Sequence, residues 1–167
     1  MQTFLPATDF GEIARVLDNK RLNKQALEGW QIIMTNLSLS PDGEHRDPKG
    51  WRNHPAAVMW RGHECALALY VDYMVTEWKG RGYRSTIADK AWWTIESADR
   101  RGLLGRQTDK LPDWFYDTKL VDDLTSSHRT ALLSKFYEHY SQFGWAEDLG
   151  YAPETYDYIW PSAIMAK

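Results

Sequence analysis

Four polar residues in the first third of the chain repeat at the spacing of a helix face. Arg21, Lys24, Glu28 and Gln31 stand three, four and three apart, so on a helix they share one side. A lysine and a carboxylate one turn apart can be a plain i,i+4 ion pair on a solvated face. They can also be a catalytic carboxylate flanked by cations that hold a phosphate backbone. Lys20, Arg21 and Lys24, with Arg15 nearby, make this the most basic stretch of the sequence. Periodicity alone does not separate the two readings.

A second constellation is Trp51-Arg52-Asn53-His54-Pro55, followed by Met59-Trp60-Arg61-Gly62-His63. Here a loop delivers a ring, a guanidinium, an amide and an imidazole to a helix start, whose free N–H groups and dipole suit an anion. The plainer role for Asn53 and His54 is to cap that helix and tie the loop down. A third group is Ser127-His128-Arg129, with Lys135 beyond it. His128 is a candidate acid or base, since imidazole titrates near neutrality, or a satisfied buried histidine. His45 and His139 have no evident partners in the sequence. No HExxH, paired CxxC, P-loop or strand-preceded GxGxxG is present, and the five histidines and one cysteine lack zinc-site spacing. The reading is therefore of metal-free, cofactor-free chemistry or simple binding.

The elements that must position these residues are helical. Asp9 with Glu12 resembles a capping box ahead of a short helix. The apolar positions Leu22, Ala26, Trp30, Ile33 and Leu37 predict a helix over 19–37 with one buried stripe. Residues 38–50 read as a loop, and Pro55 suits the first turn of a third helix, which Gly62 divides from a helix over 63–79. Ser85 can cap a helix to about Arg101. Residues 102–117 read as an irregular connection. The last helical region, about 119–143, carries an expected break near Ser126-Ser127, and the tail from Ala146 is extended. The fold class expected is all-α: one compact helical domain over 1–167 with long irregular connections.

Net charge is −3 and the pI about 5.9, so a nucleic-acid site has to be a local basic patch on an acidic protein. No apolar run approaches the roughly 18 residues of a membrane span. The opening residues lack a secretion signal and Cys65 is the one cysteine, which together point to the reducing cytoplasm. Nine tryptophans and nine tyrosines are a heavy aromatic load, most of it needed as core. Trp51 and Trp60 flank the polar loop-to-helix corner and are the rings expected to meet a base.

Several of these segments together resemble a known family. Lys20-Arg21-Leu22 with Lys24-Gln25 and Glu28, the run 51–55 with 59–62, Glu77 through Arg81-Gly82-Tyr83, Ser127-His128-Arg129 and Tyr158-x-Trp160-Pro161 look like small bacterial and phage proteins. These are similar to the pyrimidine dimer DNA glycosylases of the phage endonuclease V type. The resemblance implies a helical domain that inserts into damaged DNA, removes a base and cleaves the abasic strand. It implies an α-amine at the chain start as nucleophile and one glutamate on an early helix; matching that helix without gaps from Leu22 places the glutamate at Glu28. The characterised enzymes have a small second residue, so that the initiator methionine is removed; Gln2 predicts that here the amine belongs to Met1, with Lys24 as the alternative. Leu27 and Gln31 stand where those enzymes have arginines.

The expectation is thus a base-excision enzyme acting on a damaged or modified pyrimidine. Glu28, Met1 or Lys24, and His54 form the catalytic group. Lys20, Arg21, Arg52, Asn53, Arg61, His128 and Arg129 contact DNA, and Trp51 and Trp60 form a base pocket. Two other classes fit the same residues: an enzyme that modifies pyrimidines in phage-type DNA, and a non-catalytic DNA- or nucleotide-binding module.

Overall fold

The computed structural model describes residues 1–106 and 108–161. Its α-helices are α1 (Phe10–Val16), α2 (Asn19–Leu37), α3 (Pro55–Val58), α4 (Glu64–Gly80), α5 (Ile87–Arg100), α6 (Thr118–Lys135) and α7 (Tyr137–Tyr140). Short 3-10 turns span Asp113–Tyr116 and Ser141–Phe143. The described residues contain no strand, only an isolated bridge between Leu39 and His45, so the fold is all-α.

Side-chain oxygens and one ring nitrogen set the helix starts. Asp9 accepts from Glu12 N at 2.7 Å, Asp117 from Leu120 N at 3.0 Å, and His54 Nδ1 from Ala56 N at 3.1 Å. Each satisfies one of the amides that a helix start leaves free. The hydroxyl at the start of α5 comes from Ser85, which accepts from Ile87 N, although Thr86 holds the cap position. The C-terminal carbonyls of α1 are taken by one guanidinium: Arg81 donates to the oxygens of Ala14, Arg15 and Leu17 while paired with Glu77.

Helix α2 is the centre of the bundle, packed against α4 and α5, with α1 lying on α4. Its predicted stripe Leu22, Ala26, Trp30, Ile33 and Leu37 is buried throughout. Helices α2 and α4 approach closely at Gly29, where an added Cβ would stand 2.5 Å from Val71 Cγ2. Helix α6 runs unbroken through Ser126 and Ser127, contrary to the sequence expectation. Ser127 Oγ donates to Leu124 O and accepts from Ile159 N, so its hydroxyl serves the helix and ties down the tail. The break comes at Phe136, whose extended backbone (φ −159°, ψ 73°) separates α6 from α7.

Residues 2–7 form no helix, yet all six are buried. An extended segment inside a core cannot pair its own peptide groups, so neighbouring side chains must do it. Phe4 N donates to Gln25 Oε1 (2.7 Å) and Leu5 N to His128 Nδ1 (2.8 Å). Tyr70 Oη lies 2.9 Å from Phe4 O, and Arg129 Nε donates to Pro6 O at 2.8 Å. The irregular tail up to Pro161 then covers this segment, with Tyr158 edge-on to both Phe4 and His128.

Candidate active site

The socket that holds residues 2–7 fixes where Met1 lies. Gln2 N donates to Glu28 Oε2 at 3.0 Å, so the chain's first residue is delivered next to that carboxylate. Glu28 is only 9% exposed, which sets it apart from an ordinary surface partner of a lysine. Its Oε1 is 3.6 Å from Lys24 Nζ, and Lys24 is itself largely in solvent. Gln25, one turn earlier, is oriented by Phe4 N, which turns its amide nitrogen toward Glu28. Burial, and then the charge of Glu28, push the Tyr70 hydroxyl well above its usual range, so it stays a neutral donor.

Met1 and Glu28 lie at the junction of two clefts. One, about 400 Å³, is lined by Lys20, Arg21, Lys24 and Lys135 together with Gln2, Tyr156 and Tyr158. Its charged lining is four cations and the single carboxylate of Glu28. The other, about 520 Å³, is mainly apolar; Leu27, Met34, Pro41, Pro48 and Trp51 form much of its wall, with Gln31 and Arg46 as polar members.

Aromatic rings run past the junction in series. Trp51 lies 5.0 Å from His54, His54 5.9 Å from Trp160, Trp160 5.5 Å from Tyr158 and Tyr158 5.3 Å from Tyr156, centroid to centroid. His54 Nδ1 is occupied by Ala56 N, which leaves Nε2 as the protonated nitrogen of a neutral ring. Burial holds the His54 pKa below its usual value, and the nearby Met1 ammonium lowers it further against an opposing pull from Glu28. His54 is thus electrostatically in touch with both. Lys135 Nζ donates to Tyr156 Oη, which brings the Tyr156 hydroxyl below its ordinary range.

The sequence-predicted residues divide. Met1, Glu28 and Lys24 come together, with His54 beside them, and Lys20, Arg21 and Trp51 line the adjoining clefts. Arg21 is also committed to the fold, pairing with Asp18 at 3.0 Å and donating to Lys135 O. Trp60 must be corrected from pocket to core: it is fully buried among Phe10, Tyr70 and Trp114, and its Nε1 donates to Thr3 Oγ1. His128 must be corrected likewise, because it is fully buried and accepts the Leu5 amide; burial drives its pKa down to about 3, so it is no cation for DNA. Arg129 is turned to Pro6 O and the Trp145 ring and lines a separate groove beside Asp122 and Asp123. Arg52, Asn53 and Arg61 are exposed but line neither cleft; Arg52 faces Asp47, and Arg61 donates to Arg52 O.

Gln2, Gln25, Tyr70 and Tyr156 were not among the candidates, and Lys135 and Trp160 had no assigned place in the site. For Gln25 a signal exists: it sits one turn before Glu28 and beside the buried stripe position Ala26. The contributions of Tyr156, Tyr158 and Trp160 depend on the path of an irregular tail, which has no period to read. No group of three or more His, Cys, Asp or Glu side chains among the described residues is arranged to hold a metal ion.

A family model described as pyrimidine dimer DNA glycosylase matches residues 1–91. That stretch carries Met1, Lys24, Glu28, Trp51 and His54, whereas Lys135 and the tail aromatics lie beyond it. No curated protein and no solved structure matches the chain.

Proposed function

The chain belongs to the pyrimidine dimer DNA glycosylase family, and from that premise we propose that it removes a damaged pyrimidine from DNA and then cleaves the strand at the abasic sugar. The observation that carries the reading is the 3.0 Å bond from Gln2 N to buried Glu28, which leaves Met1 and Glu28 lining the same two clefts. The cationic groove holds the phosphates on one side of that pair and the apolar cleft takes a base on the other, which leaves the sugar between them.

In this scheme the neutral Met1 amine attacks C1′ and the C1′–N1 bond to the pyrimidine breaks, the base leaving with the bonding pair and acquiring a proton. The amine loses a proton and the furanose ring opens at O4′, which takes up a proton and leaves an iminium at C1′. Glu28 is the group within reach for these transfers. Its carboxylate then removes a proton from C2′, and β-elimination expels the 3′-phosphate. His54, neutral and with Nε2–H free, donates to an oxygen of the sugar or phosphate.

Borohydride reduction during turnover on a duplex with a cis-syn thymine dimer tests the scheme. It should trap a covalent adduct that peptide mapping assigns to Met1. Glu28→Gln should slow glycosyl-bond cleavage, read as alkali-labile strand breaks, by roughly 10²–10⁴-fold, the usual contribution of a positioned acid or base. Lys24→Gln should still form the adduct; loss of the adduct in that variant moves the nucleophile to Lys24, 3.6 Å from the same carboxylate. No adduct and no base release across a panel of pyrimidine lesions refutes the reading.

A further inference from the structure

One side chain of the cationic groove has a hydrogen to give and no part in the chemistry above. Tyr156 reaches the groove from the irregular tail, half-buried, and lines it with Lys20, Lys24 and Glu28. Lys135, at the end of α6, donates its Nζ to Tyr156 Oη and stands 4.6 Å from the centre of the same ring. Lys135 is itself tied to α2, because Arg21 donates to its carbonyl oxygen. The tail is anchored just beyond Tyr156, where Tyr158 packs edge-on against Phe4 and His128 and Ile159 N donates to Ser127 Oγ. His54, the other donor of the site, does not line this groove.

A phenol has one hydrogen to donate and an oxygen that accepts. At Tyr156 the ammonium of Lys135 takes the accepting side, and the hydroxyl hydrogen has no acceptor among the described residues. A hydroxyl that accepts from a cation is polarised into a stronger donor; the Lys135 bond accordingly holds the Tyr156 pKa below its ordinary value. We propose that Tyr156 is a catalytic residue of strand cleavage, its hydroxyl donating to the phosphate oxygen that departs from C3′. The inference rests on the lyase half of the reading above and adds a group on the leaving side. Glu28 takes the C2′ proton, and the pair from that bond ends in a C2′–C3′ double bond conjugated with the iminium. The C3′–O bond breaks and its pair passes to the phosphate oxygen. Tyr156 keeps its proton and shares it with that oxygen, whose new charge is received among Lys20, Lys24 and Lys135. Lys135 and Tyr156 both lie outside residues 1–91, so the donor is built by parts of the chain that the family match does not cover.

The test starts from a duplex with a preformed abasic site, which bypasses base removal, and compares the full chain with its Tyr156→Phe variant in single turnover. Direct strand breaks measure elimination, and borohydride added at intervals counts the covalent adduct that precedes it. Phenylalanine keeps the ring beside Lys135 and removes only the hydroxyl, and adduct formation reports that the fold and the amine are intact. Strand breaks should slow roughly 10–100-fold, the worth of one hydrogen bond to a charged oxygen. The trapped adduct should meanwhile persist longer and reach at least the wild-type amount. A side chain that only held the tail or the DNA would lower adduct and breaks together. That result, or breaks within twofold of wild type, overturns the donor and leaves the lyase reading standing. A wild-type chain that neither breaks the abasic strand nor traps an adduct overturns the lyase reading, and the donor with it.

Discussion

Lowering the pH from 7 to 5 should weaken the fold through one buried residue, and the size of the effect follows from where His128 lies. The ring is fully buried, its Nδ1 accepts the Leu5 amide, and burial lowers its pKa to about 3. In the unfolded chain a histidine titrates at about 6.5. Between those values the unfolded chain binds a proton that the folded chain refuses, so stability rises with pH across this window and falls as pH drops below 6.5. At pH 5 the unfolded ring is almost wholly protonated and the folded ring is not, which costs about 2 kcal/mol relative to pH 7. Urea unfolding at both pH values, for wild type and His128→Asn, checks it. The Asn oxygen keeps an acceptor near the position of Nδ1 and does not titrate. Wild type should lose about 2 kcal/mol more than the variant, and a His128 ring proton resonance in wild type should not shift down to about pH 4. Equal losses in the two proteins, or a ring that titrates near 6.5, would refute the claim that this imidazole is held neutral as an acceptor.

Gly29→Ala places a methyl against Val71 where α2 and α4 pack closely; it should cost roughly 1–3 kcal/mol, read as a drop in melting temperature. Trp51→Ala, at a half-exposed ring, should leave stability within about 1 kcal/mol of wild type. It should nonetheless slow glycosyl-bond cleavage by about tenfold through lost stacking. Lys20→Ala and Lys135→Ala should each lower the slope of log K against log salt for duplex binding by about 1, as expected for one lost phosphate contact. Arg129→Ala should leave that slope unchanged, because Arg129 is turned to Pro6 O and away from both clefts.

The helices were legible because their signals are local. Asp9 and Pro55 mark starts, and the stripe from Leu22 to Leu37 gives α2 its observed length, with Asp18 capping it. Glu28 could be singled out by its spacing from Lys24. Its burial could not, because the group that covers it is the backbone of Gln2, 26 residues away. Trp60 and His128 were misplaced for the same reason. An aromatic next to a polar motif and a histidine next to an arginine look alike in sequence whether they face solvent or the core. What decides is a partner far along the chain, Thr3 for one and Leu5 for the other. The Ser126-Ser127 pair suggested a break because serine hydroxyls compete for backbone groups. In the fold Ser127 satisfies that tendency on Leu124 O without leaving the helix.

The socket around residues 2–7 also sets the order in which the molecule can be finished. Leu5 and Pro6 are held by His128 and Arg129, 123 residues later in the chain. During synthesis this segment leaves the ribosome long before its anchors exist. Contacts of such sequence separation close late and slow the last stage of folding. The amine and the carboxylate can therefore be aligned only after α6 is in place. A growing chain that has reached only residue 91 would hold the whole stretch matched by the family and still lack the side chains that anchor residues 2–7. A chain that stops before α6 should therefore leave residues 2–7 without the His128 and Arg129 anchors that hold them.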